Sequence, residues 1–139
     1  MSKRYHSGEH ISPKCSSKIK YRSLWEKAVC LHLDDDPQVQ KYEYETLKLA
    51  YRYNNRTQRV RFYIPDFVVW YKDGSCLMVE VKPKAKVQQI TVLRKKAAGE
   101  VWASQNKAKY QFWTEDMIFP LLKVYKEKLN EVKELKTKR

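Results

Sequence analysis

The order of apolar and polar residues predicts a β-hairpin near the middle of the chain. Two apolar runs rich in β-branched and aromatic residues, 64–70 and 76–81, flank a turn that contains Asp73 and Gly74. Strand-forming runs on either side of an Asp-Gly turn are a strong hairpin signal. We therefore expect residues 64–81 to form two neighbouring antiparallel strands.

Two more strands are predicted upstream of this hairpin. Residues 42–51 alternate between apolar and polar side chains, and a second strand is expected to begin at Val60 and run into Asp66. The turn between them is expected at 54–56, where two asparagines occur.

Three further segments have the apolar spacing of helices. The first begins after Ser23 and reaches Leu33, the second covers about 91–106, and the third begins at Glu115. A strand over 110–114 is expected between the last two. The whole pattern predicts an α/β fold, with a first helix, a mixed central sheet of about four strands, a crossover helix and a closing helix.

The length and charge of the chain predict one basic domain. The chain has 139 residues, with 29 Lys and Arg against 16 Asp and Glu, which gives a net charge of +13. Such a chain can bury one modest core, and its positive charge indicates a nucleic-acid partner. We expect a basic arm over 1–21 that is loose without its partner, a core over 22–125, and a helical extension with a basic tail over 126–139.

Several classes of protein are not indicated by the sequence. The chain lacks an apolar run of the roughly 18 to 20 residues that span a membrane, and its basic N-terminus is not followed by a secretory apolar segment. We therefore expect a soluble cytoplasmic protein without a membrane partner. Cys15, Cys30 and Cys76 form no Cys-x-x-Cys pair, so neither a disulfide framework nor a zinc site is predicted. His6 and His10 are expected in a disordered tail.

Three charged residues of the predicted hairpin indicate chemistry. Glu80 and Lys82 point the same way because residues two apart share a strand face, and Asp66 opens the partner strand. Burying such charges is costly unless they are paired or bind a metal. Mg²⁺ takes carboxylate and phosphate oxygens, so Asp66 and Glu80 could bind it, while Lys82 holds or deprotonates a water and offsets charge on phosphorus. The alternative is structural: Asp66 merely follows Pro65 at a strand start, and Glu80 and Lys82 form a solvent-facing pair.

The same residues resemble the signature of the PD-(D/E)XK nuclease superfamily, which is matched by Pro65-Asp66 and Glu80-Val81-Lys82. Upstream, Tyr21-Arg22-Ser23-Leu24-Trp25-Glu26 resembles the first-helix motif of phage head-completion nucleases, TnsA-type transposon endonucleases and phage Holliday-junction-resolving endonucleases. Downstream, 110–116 resembles the late strand and Thr-Glu step of the first two families. The resemblance implies a restriction-endonuclease-like core over most of the chain.

The resemblance also implies which residues form the site. It makes Glu26, Asp66, Glu80 and Lys82 catalytic. It assigns Mg²⁺, for which Mn²⁺ can substitute, to Asp66, Glu80, Glu26 and Val81.

The third carboxylate of this set has alternatives. Glu26 lies three residues after Ser23, which is also the spacing of a capping box, so Glu26 could bond the start of the helix instead of, or as well as, a metal. Glu43 and Glu45 are the rival suppliers, although we expect them to face water as acids of an edge strand.

The function implied by the resemblance is a Mg²⁺-dependent DNA endonuclease of the phage head-completion type. A transposon-end endonuclease, a junction resolvase and a catalytically inactive DNA-binding module of the same fold are the alternatives. The partners implied are double-stranded or branched DNA, with phage head or portal proteins or a transposase, in the bacterial host cytoplasm if the protein is phage-encoded. The residues predicted to bind DNA are Lys20, Arg22, Lys84, Lys86, Arg94, Lys95 and Lys96.

Overall fold

A computed structural model describes residues 6–52, 56 and 59–137, with side chains as far as residue 133. A 3₁₀ turn at Lys84–Lys86 follows the seventh strand. The strands and helices, in chain order, are β1 (Gly8–His10), β2 (Ile19–Tyr21), α1 (Leu24–Asp35), β3 (Val39–Tyr44), β4 (Leu49–Arg52), β5 (Val60–Tyr63), β6 (Phe67–Tyr71), β7 (Cys76–Val81), α2 (Ile90–Gln105), β8 (Lys109–Trp113), α3 (Glu115–Val124) and α4 (Lys126–Thr137).

The fold is built on a mixed four-stranded sheet in the order β3-β6-β7-β8. Strands β6 and β7 form the predicted antiparallel hairpin, with Phe67 opposite Val79. Strand β8 lies parallel to β7, and helix α2 makes the long crossover that a parallel neighbour requires. The predicted α/β fold with a mixed sheet of about four strands and a crossover helix is confirmed.

The core lies between the central sheet and helices α1 and α3. Strands β6 and β7 are nearly continuous apolar runs, and Phe67, Val69 and Val79 are fully buried. Against them pack Val29 of α1 and Ile118 of α3. A sheet strand with apolar residues on successive positions is expected where both faces are covered, and this rigid centre is where the acidic residues of β6 and β7 are held.

The expectation of a loose arm over 1–21 is wrong for its described residues. Strands β1 and β2 pair as an antiparallel hairpin, and Ile19 and Tyr21 are buried in the core. His10, which was expected in a disordered tail, is buried and lies 2.7 Å from Asp34. The polar composition of the segment was misleading because apolar residues of β2 face the core, and several of its polar ones are bonded to α1.

The strands predicted before Asp66 are also shorter than expected. Strand β3 ends at Tyr44, because Glu45 has a φ of +54°, and β4 and β5 form a separate two-stranded sheet. Strand β5 ends at Tyr63 rather than running into Asp66, since the Ile64-Pro65 step separates it from β6. Of the predicted turn at 54–56, Asn54 and Asn55 lie outside the described residues.

The predicted closing helix is two helices. The first ends at Val124, after which the backbone N–H of Tyr125 bonds the carbonyl of Leu121, and the second begins at Lys126. The apolar stripe predicted for this region does pack on the core, with Ile118, Leu121 and Leu129 buried. Within the described part of the chain, none of the helices has the length and apolar character needed to cross a membrane.

Candidate active site

Asp66 and Glu80 lie side by side where β6 begins and β7 ends. The register that places Phe67 opposite Val79 brings Asp66 opposite Glu80 when it is continued by one residue. Both carboxylates are buried, and each has a fixed donor. Asp66 Oδ2 accepts from the backbone N–H of Val81 at 2.8 Å, and Glu80 Oε1 accepts from the hydroxyl of Tyr63 at 2.6 Å.

Burial raises the pKa of both acids, because removal from water disfavours the charged form. The pKa of Asp66 is held well above its usual range, first by burial and then by the negative charges of Glu80 and Glu26. The pKa of Glu80 is raised by burial, against the opposing effects of the Tyr63 hydroxyl and the Lys82 ammonium. Two buried acids that repel each other form a site where a cation is favoured.

Glu26 reaches the same place from the first turn of α1. Ser23 caps this helix by accepting from the backbone N–H of Glu26 at 3.2 Å. The Glu26 carboxylate accepts from the backbone N–H of Arg22 at 2.7 Å and from the hydroxyl of Tyr44 at 2.8 Å. The Glu26 carboxylate thus bonds the backbone N–H one residue before the N-cap, rather than that of Ser23 as the capping-box spacing predicted, and it also stands beside Asp66.

Arg22, which was predicted to bind DNA, and Glu45, which was a rival for the third carboxylate, both join the site. The Arg22 guanidinium contacts Glu45 and lies 3.9 Å from Glu26 Oε2 and 3.8 Å from Asp66 Oδ1. Burial alone would lower the pKa of Arg22, but the acids around it raise the pKa overall. Glu45 was expected to face water. Its positive φ instead turns it inward, and burial raises its pKa despite the nearby Arg22.

Glu43, the other rival for the third carboxylate, makes a hydrogen bond with a residue close to it in sequence. It accepts from the hydroxyl of Thr46 at 2.6 Å, whereas Glu45 shares Arg22 with the site acids. No sequence signal for the Glu45 conformation exists, because a left-handed backbone at a residue other than glycine is set by tertiary contacts.

Lys82 lies at the mouth of the site. Its ammonium is 3.6 Å from Glu80 Oε2, and its side chain is 24% exposed. The side chain can therefore meet both a buried carboxylate and a ligand from solvent. An open cleft of about 320 Å³ begins here, and its lining residues include Arg22, Glu26, Val81, Lys82 and Lys86.

Two tyrosines that the sequence did not single out, Tyr63 and Tyr110, form a chain of hydrogen bonds that ends at Glu80. The hydroxyls of Tyr63 and Tyr110 lie 2.8 Å apart, and Tyr63 in turn donates to Glu80. Helix α2 approaches Tyr110 closely at Gly99, where a Cβ atom would lie 2.4 Å from the Tyr110 ring. A glycine in the middle of a predicted helix is a usable signal for such a close approach.

The donor set suits a hard divalent cation. Among the residues that the structure describes, no three His, Cys, Asp or Glu side chains are already gathered around a common metal position. Four carboxylates nevertheless surround Arg22 and Lys82, whose two positive charges offset only two of the four negative ones if all are ionised. Carboxylate oxygens with open positions for water and phosphate are the ligands that Mg²⁺ prefers. Asp66, Glu80 and Glu26, with the main chain of Val81, are the residues that could hold such an ion.

The residues predicted to bind DNA are divided among several surfaces. Arg22 is in the site itself, and Lys86 lines the cleft beside it. Lys84 is paired with Asp116 at 2.7 Å, and Lys96 lies 5.9 Å from the centroid of the Phe112 ring. Arg94 instead lines a cleft between α2 and β4.

The other two members of the predicted set lie apart from this cluster. Lys20 is exposed on β2, and Lys95 is half-buried on α2. The site thus gathers Glu26, Asp66, Glu80 and Lys82, together with two of the seven predicted DNA-binding residues.

Two comparisons with known proteins bear on this geometry. Residues 36–115 match a protein-family model described as the TnsA-like endonuclease N-terminal domain, a range that contains Asp66, Glu80 and Lys82. The head completion nuclease of Enterobacteria phage T4 is 34% identical over 73 residues, which cover 51% of this chain and 47% of that protein. The match therefore spans about half the length of the phage protein.

Proposed function

Because this chain belongs to the TnsA-like endonuclease N-terminal family, we propose that it is a metal-dependent DNA endonuclease, with Mg²⁺ as the natural ion and Mn²⁺ as a substitute. The observation that carries the proposal is the pair of buried, opposed carboxylates, Asp66 and Glu80, with Lys82 at 3.6 Å from Glu80. A purely structural role accounts poorly for two acids buried side by side with raised pKa values.

The arrangement fits phosphodiester hydrolysis. In that reaction the oxygen of a water bonds to phosphorus, the bond to the sugar oxygen breaks, and that oxygen takes up a proton. A bound divalent cation supplies Lewis-acid stabilisation of the charge that grows on the phosphate oxygens. Lys82 can orient the water through its ammonium and offset the same charge. Tyr63 and the Val81 N–H hold the two carboxylates in place, so they need not reorganise during the reaction.

The test is a plasmid-nicking assay with Mg²⁺, with Mn²⁺ and with EDTA. The wild-type protein is expected to cut with either ion and not with EDTA. Asp66→Asn and Glu80→Gln keep the shape of the site and an acceptor oxygen at each position, and are expected to lose about 10²-fold or more in rate. The matched control is Asp73→Asn, which removes an exposed acid from the turn of the same hairpin.

Two results would contradict the proposal. One is cleavage by the Asp66→Asn or Glu80→Gln protein at the wild-type rate, which would place the chemistry elsewhere. The other is undiminished cleavage in EDTA, which would exclude a metal-dependent reaction. A filter-binding measurement with the same variants controls for DNA affinity, which should be equal or slightly higher once a negative charge is removed.

Among nucleases, we propose the head-completion type, in which DNA is cut during virion assembly. The relative that supports this is named a head completion nuclease. The family match supports a second candidate, a transposon-end endonuclease that acts with a transposase. Mapping the cut positions separates them, since dispersed cuts by the isolated protein fit the first, and cuts confined to one end position in the presence of a transposase fit the second.

A further inference from the structure

The ribbon formed by β4 and β5 carries several positive charges and no negative ones. From Thr46 to Pro65 the sequence contains five Lys or Arg and no Asp or Glu. The described members of this set are all exposed. A run of this kind on a short two-stranded element does not serve the core, and its chemistry favours a polyanion. The five residues are Lys48, Arg52, Arg56, Arg59 and Arg61.

One face of the ribbon combines two of these cations, Lys48 and Arg52, with exposed apolar side chains. Phe62 pairs with Ala50 across the ribbon, and Val60 pairs with Arg52, so the four residues share one face. Phe62 and Val60 are each 55% exposed. The ammonium of Lys48 lies 4.5 Å from the centroid of the Phe62 ring. Cations interleaved with an exposed aromatic ring are typical of nucleic-acid surfaces.

The opposite face fixes the ribbon to the rest of the protein. Tyr63 is buried and Leu49 and Tyr51 are half-buried, and β4 packs beside α2 across a cleft of about 320 Å³. Arg52 and Arg94 are both among the residues that line this cleft. Arg61 pairs with Tyr51 and is exposed on this same face, so the ribbon carries cations on both faces. Its anchored end is Tyr63, which donates to Glu80.

The length of β5, from Tyr63 to Val60, is comparable to the spacing of a few phosphates along a DNA strand. Strands rise about 3.3 Å per residue, so the three steps from Tyr63 to Val60 cover roughly 10 Å. Phosphates follow one another at about 3.4 Å of axial rise along one DNA strand. A ribbon of this length therefore matches about three successive phosphates, beginning beside the acidic pair.

From these observations we propose that the β4–β5 ribbon binds the phosphate backbone of duplex DNA next to the bond that is cut. The proposal rests on the proposed nuclease function. It places a DNA contact on residues that were not among those predicted from the sequence to bind DNA. Lys48 and Arg52 neutralise phosphates beside Phe62, which packs its ring against the sugar edge, and the exposed Arg61 neutralises a phosphate from the other face of the ribbon.

The experiment measures DNA binding in a protein that cannot cut. In the Glu80→Gln background, with EDTA present, the fluorescence anisotropy of a labelled duplex is followed between about 50 and 200 mM salt. The test variant adds Lys48→Gln, Arg52→Gln and Arg61→Gln. The control variant adds Lys72→Gln, Lys109→Gln and Lys123→Gln, which remove the same charge from exposed positions elsewhere. A third variant, with Lys48→Arg, Arg52→Lys and Arg61→Lys, keeps the ribbon charge.

The ribbon variant should bind at least about tenfold more weakly than the control at low salt. Its slope of log affinity against log salt should be smaller by about 2.7, which is 0.9 for each of the three phosphates that its side chains no longer neutralise. The charge-conserving variant should keep the original slope. Thermal melting of all three variants, whose substituted side chains are exposed, confirms that they are folded.

A ribbon variant with the affinity and slope of the control would overturn the proposal and indicate an acidic protein surface as the partner of the ribbon. Nicking by the wild-type protein is a separate readout. It decides the nuclease function, whereas the anisotropy titration decides the role of the ribbon whether or not the wild-type protein cuts.

Discussion

Two acids of the site, Asp66 and Glu80, are buried close to each other although burial disfavours their charged forms. Asp66 is 5% exposed and Glu80 is 8% exposed, and each uses a short hydrogen bond to hold its position. Among the described residues, every buried side-chain nitrogen or oxygen has a hydrogen-bond partner. The cost that remains at this site is therefore electrostatic, because like charges are held together away from water.

Replacing Asp66 with asparagine should stabilise the metal-free protein at neutral pH while abolishing cleavage. The pKa of Asp66 is raised in the folded state, whereas an unfolded aspartate titrates near 4. The folded state thus binds more protons between these values, and its stability falls as the pH rises through that window. Asparagine does not titrate and still accepts from Val81, so we expect a gain of roughly 0.5 to 2 kcal/mol at pH 7.

Denaturant melts of both proteins in EDTA measure this difference. The gain should shrink as the pH is lowered and should vanish below about 4, where the wild-type side chain is neutral in both states. An Asp66→Asn protein that is less stable than wild type at pH 7 would show that the folded protein favours the charged form.

The secondary-structure elements were largely predictable where the apolar pattern was long. The hairpin of β6 and β7 and helices α1 and α2 were expected within one or a few residues, because their periodicity follows directly from burial. The short strands could not be predicted from the apolar pattern. The three-residue strands β1 and β2 carry too few positions to show alternation, and the end of β3 depends on the left-handed conformation of Glu45.

The contact between α2 and β8 yields a prediction about Gly99. Alanine usually favours a helix over glycine by about 1 kcal/mol. At this position, however, a Cβ atom would lie 2.4 Å and 2.5 Å from two atoms of the Tyr110 ring. Tyr110 is held by the Tyr63 hydroxyl, so the ring cannot move without disturbing the partner of Glu80. Gly99→Ala is therefore expected to cost about 1 to 3 kcal/mol.

A double-mutant cycle with Tyr110→Ala tests this account by chemical denaturation. Once the ring is absent, Gly99→Ala should become neutral or stabilising, with a coupling energy of opposite sign to the single-mutant loss. If Gly99→Ala costs the same in both backgrounds, the loss does not arise from Tyr110.

Across the whole molecule, several polar contacts between the N-terminal segment and the rest of the domain converge on one acid, Asp34. Asp34, in the last turn of α1, accepts from His10, from Ser12 and from the hydroxyl of Tyr42. These contacts join β1, α1 and β3. They replace the independent arm that the sequence composition indicated, because composition does not show which polar groups have partners within the fold.

Asp34→Ala should therefore destabilise the protein by about 2 to 4 kcal/mol, since three donors lose their acceptor and a buried polar group without a partner costs about 1 to 3 kcal/mol. The loss is measured by denaturant unfolding. Glu131→Ala, an exposed acid on α4, is the control for removal of one negative charge. Equal losses in the two variants would mean that the three hydrogen bonds to Asp34 contribute little to stability.

The residues of the candidate site were predictable in part. Asp66, Glu80 and Lys82 stood out because charges inside an apolar hairpin need a reason, and the structure brings them together with Glu26. Their roles in catalysis stay predictions. Glu45, Tyr44 and Tyr63 come from different strands and a turn, and their meeting depends on how separate sheets pack, which local sequence does not encode.

The position of Arg22 between three carboxylates has a consequence for how ligands enter. Its guanidinium is 66% exposed as a side chain and yet is the shared cation of Glu26, Glu45 and Asp66. A divalent ion held by Asp66 and Glu26 would offset the same negative charges and would leave the guanidinium available to a phosphate. Binding of the ion and binding of DNA would then be coupled, and each would raise the affinity of the other by the same factor. With Arg22→Ala, which removes the exchangeable cation, the ion should bind more tightly and the two affinities should become more nearly independent.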